Sequence, residues 1–323
     1  DMTCYEAGLD KGIEVGCIAS GDNHTVPGES DHGMMCVLST GRGRAEIWQG
    51  LLARRTYGVS RSRMVIDHTL NGAPMGAEIS PGPAQFTLSL TAANAVDRVE
   101  FLKDNILEKM IVHSGTWERQ PLPGRFAFKF EVEFGWGPET RLFPDAALKV
   151  WEGSLQVPGH LMGVEKLWNS FGQQILEWRD DRCDFRLTTH RGTETGKWMG
   201  PSQVRRESLV FEVEGGIDDV LTLTVDGEQY ALPVRMLLQG TRIYAQYSQC
   251  ERRIIKKFGP TPHYRDDFIW HCAFKFRVRR AVPSPAYTLN ESFTTTLDAG
   301  SQYRLRVWLK NGDAAWTSPI FCR

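Results

Sequence analysis

After residue 62 the chain breaks into short alternating or β-branched runs, and this texture limits the fold more than any other feature. Runs such as Met64–Leu70, Gln85–Leu90, Arg125–Phe134, Ser208–Val213, Val220–Val225 and Tyr303–Leu309 have strand length. Turn signals bound them, among them Asn71-Gly72, Asp226-Gly227 and Asn311-Gly312. Runs of this kind build β-sandwiches rather than further βα units. Phe268 to Arg280 reads as one strand, with Phe274, Phe276 and Val278 facing a core and Lys275, Arg277 and Arg279 facing water. Little helix is expected beyond residues 44–55.

The first 62 residues read differently. An apolar run, Val15 to Ala19, has the length of a buried strand and ends at Ser20-Gly21, just before Asp22 and His24. On extended backbone, positions i and i+2 point the same way, so this carboxylate and imidazole leave the strand end side by side. A hard oxygen and a borderline nitrogen together suit Zn²⁺, Mn²⁺ or Fe²⁺. Asp-x-His is also a common pair, and alone it reads equally as a turn-capping Asp beside an exposed His. Arg44 to Arg55 follows, with apolar residues at 45, 47, 48, 51 and 52 in helical spacing.

Four segments occur in order: Ser20-x-Asp22-x-His24, a Pro27-Gly28 loop leading to His32-Gly33, Ile47-Trp48-x-x-Leu51-x-Ala53-Arg54-Arg55, and Asn71-Gly72-Ala73-Pro74-Met75-Gly76. As a set they resemble the C-terminal portion of PHP-type metallohydrolases (the polymerase and histidinol phosphatase superfamily), in the long branch related to carbaryl hydrolase. The chain end, with Trp316-x-Ser318-Pro319-Ile320, is similar to that branch too. The resemblance implies the last βα piece of a split, distorted (β/α)₇ barrel at 1–62. A small immunoglobulin-like sandwich follows at 63–115 plus 299–323, with a larger inserted β domain at 116–298. It further implies Asp22 and His24 as metal ligands for about one to three divalent ions, and hydrolysis of an ester, amide or phosphoester by metal-activated water. Relatives tend to carry Ala-Thr-Thr-Gly where this chain has Tyr57-Gly58-Val59-Ser60-Arg61, so the shape of that loop does not carry over.

Such sites take most of their ligands from His-x-His and further upstream residues. The eight histidines, at 24, 32, 68, 113, 160, 190, 263 and 271, form no His-x-His. A metal wants three or four protein ligands, and a βα barrel commonly needs about 200 residues or more. The chain is therefore expected to need an N-terminal PHP-like barrel segment carrying His-x-His, lost by processing or supplied as a second polypeptide in a hetero-oligomer. The apolar residues of Val15–Ala19 and the 44–55 helix cover more faces than one short βα unit can bury.

Composition narrows the partners. Net charge is −1, from 38 basic and 39 acidic side chains, which gives no long-range attraction for nucleic acid or an anionic membrane. Arg252-Arg253 and Lys256-Lys257 form a local basic cluster that reads as a solvated face. There is no apolar run of spanning length. No signal peptide opens the chain, and a missing N-terminus would carry one away, so localisation stays open. The seven cysteines include no Cys-x-x-Cys and read as buried thiols behaving as small hydrophobes. Cys272 beside His271 is a weak nucleophile candidate, since strand neighbours face opposite sides.

Two more residues complete the expected site. His32, in the loop beyond Asp22 and His24, is a candidate substrate contact or proton carrier. Arg54 and Arg55 close the helix, where positive charge suits the dipole; Arg55 is the candidate to meet an anionic leaving group or a carboxylate. Asp31 and Glu29 could orient a ligand imidazole. The small-molecule hydrolase reading competes with a non-catalytic sandwich subunit that binds a glycan or protein and carries a relic Asp-x-His. Linkers are expected at Pro121–Gly124 and Pro283–Pro285.

Overall fold

The computed structural model describes residues 4–20, 33–118, 121–138, 140, 142–167, 174–191, 204–260 and 267–323. It is mainly β, with 53% strand and 16% helix in several antiparallel sheets, none of them closed. Two compact units divide at Pro121/Leu122 and Pro283/Ser284. No helix among the described residues is long and apolar enough to cross a membrane.

In chain order the first unit begins with α1 (Cys4–Asp10), β1 (Met34–Val37), α2 (Arg44–Leu52), β2 (Thr56–Val59), β3 (Met64–Leu70), β4 (Ala73–Pro74), β5 (Glu78–Ile79), β6 (Gly82–Ala92), β7 (Val96–Lys103) and β8 (Ile106–Val112). The second unit holds β9 (Arg125–Trp136), β10 (Leu148–Gln156), β11 (His160–Leu167), β12 (Gln174–Trp178), β13 (Arg182–Arg191), β14 (Val204–Arg205), β15 (Glu207–Gly216), β16 (Val220–Val225) and β17 (Glu228–Pro233). It continues with α3 (Val234–Gln239), β18 (Arg242–Ala245), α4 (Tyr247–Phe258), α5 (Asp267–Cys272), β19 (Lys275–Val278) and β20 (Val282–Pro283). The chain returns to the first unit through α6 (Ser284–Tyr287), β21 (Thr288–Leu297), β22 (Gln302–Leu309), β23 (Ala314–Thr317) and β24 (Ile320–Cys322).

In the first unit one sheet runs β1-β2-β23-β22-β24-β5, with β7 also on β22 and β8 on β7; the other runs β21-β6-β3-β4. Alternation sets which side chains meet between them. Phe86, Leu88 and Leu90 of β6 are buried while the residues between them are exposed. Phe86 meets Phe101 of β7 at 5.1 Å and Phe293 of β21 at 4.6 Å between ring centroids, joining the two sheets into a sandwich-like core. Asn71 and Gly72 have φ of 51° and 80°, as a tight hairpin turn requires, and Gly312 has φ of 90° in the β22–β23 turn. Helix α1 packs on this unit through Glu6, whose carboxylate accepts from Arg304 at 2.7 Å although both side chains are buried.

The second unit pairs β11-β15-β9-β19-β18 with β12-β13-β10-β16-β17. Phe134 of β9 meets Trp151 of β10 at 5.2 Å and Phe185 of β13 at 5.9 Å. Strand β9 is buried on both faces. Phe126, Phe128, Phe130, Val132 and Phe134 enter the core, while on the other side Glu131 and Glu133 meet arginines and Lys129 meets Glu165 and Glu212. Glu133 receives Arg206 at 3.2 Å and Arg279 at 2.8 Å, and also Arg277. Burial would raise its carboxyl, but these guanidinium groups hold it below the usual value.

Several local expectations need correction. Val15–Ala19 joins no ladder; the Cys17 N–H donates to the Ser318 hydroxyl instead. The 44–55 helix ends at Leu52, and Arg54 turns into the left-handed region at φ 57°. Phe268–Arg279 is not one strand. Ile269, Cys272 and Ala273 recur at helical spacing and are drawn to the core by α5, and the strand begins only at Lys275. Helix α4 was also hidden within a region read for its charge; its basic residues share it with buried Cys250 and Ile254.

Candidate functional site

Asp22, His24 and His32 lie outside the described residues, as do Glu29 and Asp31. What is described is the stem from which that segment leaves and to which it returns. A Cβ on Gly33 would stand 3.1 Å from the Ala19 Cβ and 3.6 Å from the Ser20 N, so the two ends of 21–32 meet. The incoming segment passes close to β2 because Gly58 has no side chain there: a Cβ would stand 2.8 Å from that of Ala19.

The segments that sequence reading singled out converge on this stem. Ser318 is fully buried; its hydroxyl accepts from Cys17 N–H at 2.8 Å and donates to the Thr56 carbonyl at 2.6 Å. Its N–H donates to the same carbonyl at 3.0 Å, while Gly76 N–H donates to the Pro319 carbonyl at 2.8 Å. The Arg54 guanidinium reaches the Gly76 carbonyl oxygen and Glu78, each at 3.2 Å, and lies over the Phe321 ring. Cys17, the residues after α2, the Asn71–Gly76 turn and the Trp-x-Ser-Pro-Ile segment are thus one bonded assembly within the first unit.

Arg54 is held structurally. Arg55 is half-buried, and its side chain makes no hydrogen bond or ion pair among the described residues; only its backbone is engaged, by Gly50 and Leu38. Sequence reading missed Ser318 and Thr56 as the clamp. Their signal, a Ser-Pro pair near the chain end, says nothing of a partner 262 residues away.

The thiols at this stem are not activated. Burial pushes Cys17 up to about 11, against a backbone hydrogen bond and the charge of Arg304, and raises Cys36 likewise. No group of three or more His, Cys, Asp or Glu that could hold a metal is found among the described residues. Ile18, beside the stem, is 72% exposed, and Leu52 and Trp48 of α2 are 60% and 57% exposed. A cavity of about 460 Å³ in the same unit is lined by Leu9, Asp10, Glu14, Asp104, Gln302 and Phe321, none of which the sequence singles out.

No family model, curated protein or solved structure matches the chain.

Proposed function

We propose that the chain is the C-terminal portion of a PHP-type metal-dependent hydrolase, supplying part of a metal site that an N-terminal barrel segment completes. The observation that carries this reading is that three described motif segments, ending at Arg54, at Gly76 and at Ser318-Pro319, bond one another and, through Ser318, the stem of residues 21–32. In the proposal Asp22 and His24 are metal ligands. A carboxylate oxygen and an imidazole nitrogen are a donor set that Zn²⁺, Mn²⁺ or Fe²⁺ accepts, and two donors leave the remainder to the barrel segment. Such a metal lowers the pKa of water and polarises an ester, amide or phosphoester. His32 would contact substrate or carry a proton, and Arg55, with its guanidinium uncommitted among the described residues, would meet developing negative charge.

The exposure of Ile18 beside the stem and of Trp48 and Leu52 on α2 supports a covering segment. An obligate interface of well above about 2,000 Å² would bury them. The competing glycan- or protein-binding reading draws on Trp178, 49% exposed on β12.

The test is metal content and turnover of the completed assembly. Asp22→Ala or His24→Ala should lower the metal bound and abolish hydrolysis, while melting of the β units changes little. Unaltered activity in both variants removes the hydrolase reading.

A further inference from the structure

Cys250 and Cys272 come from different helices and share one enclosed space. Cys250 lies on the buried face of α4, one turn before Ile254, and Cys272 ends α5, which packs on α4. Both are buried, at 4% and 6% exposure, and both are free thiols. Together with Gln249, Arg253 and Phe274 they line a cavity of about 90 Å³. The Cys250 thiol donates to the Ile269 carbonyl oxygen at 3.3 Å, and Ile269 lies one helical turn before Cys272. The cavity leaves the sulfurs room to move toward one another, where a close-packed core would not.

We infer that Cys250 and Cys272 are a dithiol pair that closes into an intrachain disulfide by exchange with a low-molecular-weight disulfide. One thiolate of the pair attacks a sulfur of the small disulfide and expels one small thiolate. The second thiolate attacks the resulting mixed disulfide at the protein sulfur and expels the other. The two protons lost by the protein thiols are taken up by the expelled thiolates, so the protein pair is oxidised and the small disulfide is reduced to two thiols.

The surroundings set the speed. Burial pushes Cys250 up to about 11, and a charge on Cys272 would raise it further; Lys275 and Arg253 act in the opposite sense. Burial raises Cys272 as well, against Lys275. The Lys275 ammonium is fixed beside the pair by the carbonyls of Trp270 and Ala273. The thiolate is therefore scarce at neutral pH, and exchange quickens about tenfold per pH unit below the thiol value.

The experiment uses the full 323-residue chain in glutathione buffers running from fully reduced to fully oxidised at about pH 8. Acid quenching, alkylation, digestion and mass spectrometry follow. The expected result is a peptide pair joined through Cys250 and Cys272, with loss of two free thiols. One melting transition should also rise by about 5 °C or more, because the bridge constrains the unfolded chain. Cys250→Ser abolishes the joined peptides and leaves Cys272 free or glutathionylated. The inference is overturned if both cysteines stay alkylatable at the oxidised end, carry glutathione without joining, or pair with other cysteines.

Discussion

The Arg54 Nη2 lies 3.2 Å from the Gly76 carbonyl oxygen, and that bond ties the residues after α2 to the turn that follows β4. The approach is close because Gly76 has φ of 85° and no side chain: a Cβ would overlap the Ala53 carbonyl oxygen and stand 2.7 Å from the Arg54 carbonyl carbon. Gly76→Ala therefore meets both a left-handed backbone and a backbone clash, and should cost about 2–4 kcal/mol. Arg54→Lys, which cannot reproduce the fork, should cost about 1 kcal/mol. Chemical denaturation of the two variants checks the order; equal stability of Gly76→Ala and the parent would contradict it.

Ser318 is where the segment leading into the stem is fastened. Its loss leaves the Cys17 N–H without its acceptor in a buried position, at a cost of about 1–3 kcal/mol. Ser318→Ala should speed hydrogen exchange at the Cys17 amide more than at amides of β6 or β22. In a completed assembly it should lower turnover by more than its stability loss explains, because the segment leading to Asp22 is released. Unchanged exchange at Cys17 would show that the clamp is not needed.

A third expectation concerns pH. His68, on the core face of β3, is 2% exposed, stacks on Phe86 at 6.2 Å, and has no hydrogen-bond partner for either ring nitrogen among the described residues. Burial pushes it from 6.5 down to about 4. A histidine lowered in this way binds fewer protons folded than unfolded. Its contribution is fully present above pH 6.5 and is lost as pH falls toward 4, by about 3 kcal/mol in all. His68→Leu should flatten that slope. Denaturant midpoints measured between these two pH values decide it, and parallel slopes for parent and variant would rule His68 out as the source.

The β texture and its turns were legible because they are local. Asn71-Gly72 and Asp226-Gly227 adopt the positive φ values that those residue types tolerate, and the strands between such turns alternate as written. What was not legible depends on distant partners. Val15–Ala19 looks like a ladder strand, yet its central N–H is satisfied by Ser318, 301 residues away. The buried face of Lys129, Glu131 and Glu133 looks wet until Glu165 and Glu212 meet the lysine and Arg206, Arg277 and Arg279 meet the glutamates from distant parts of the chain. Helix α5 was read as strand because a short apolar run looks the same in either state. Of the site, Arg55 and the stem are described, while Asp22, His24 and His32 stand on sequence alone.

The most direct measurement is native mass spectrometry of the particle that contains this chain in its source cells, with the metals counted. The account predicts a PHP-like barrel segment carrying His-x-His, on the same or a second polypeptide, with about one to three divalent ions. Trp48→Asp, on the exposed side of α2, should loosen that segment where it is a separate chain and shed metal in either case. A stable, monodisperse particle holding only this chain, or a companion without His-x-His, would contradict it.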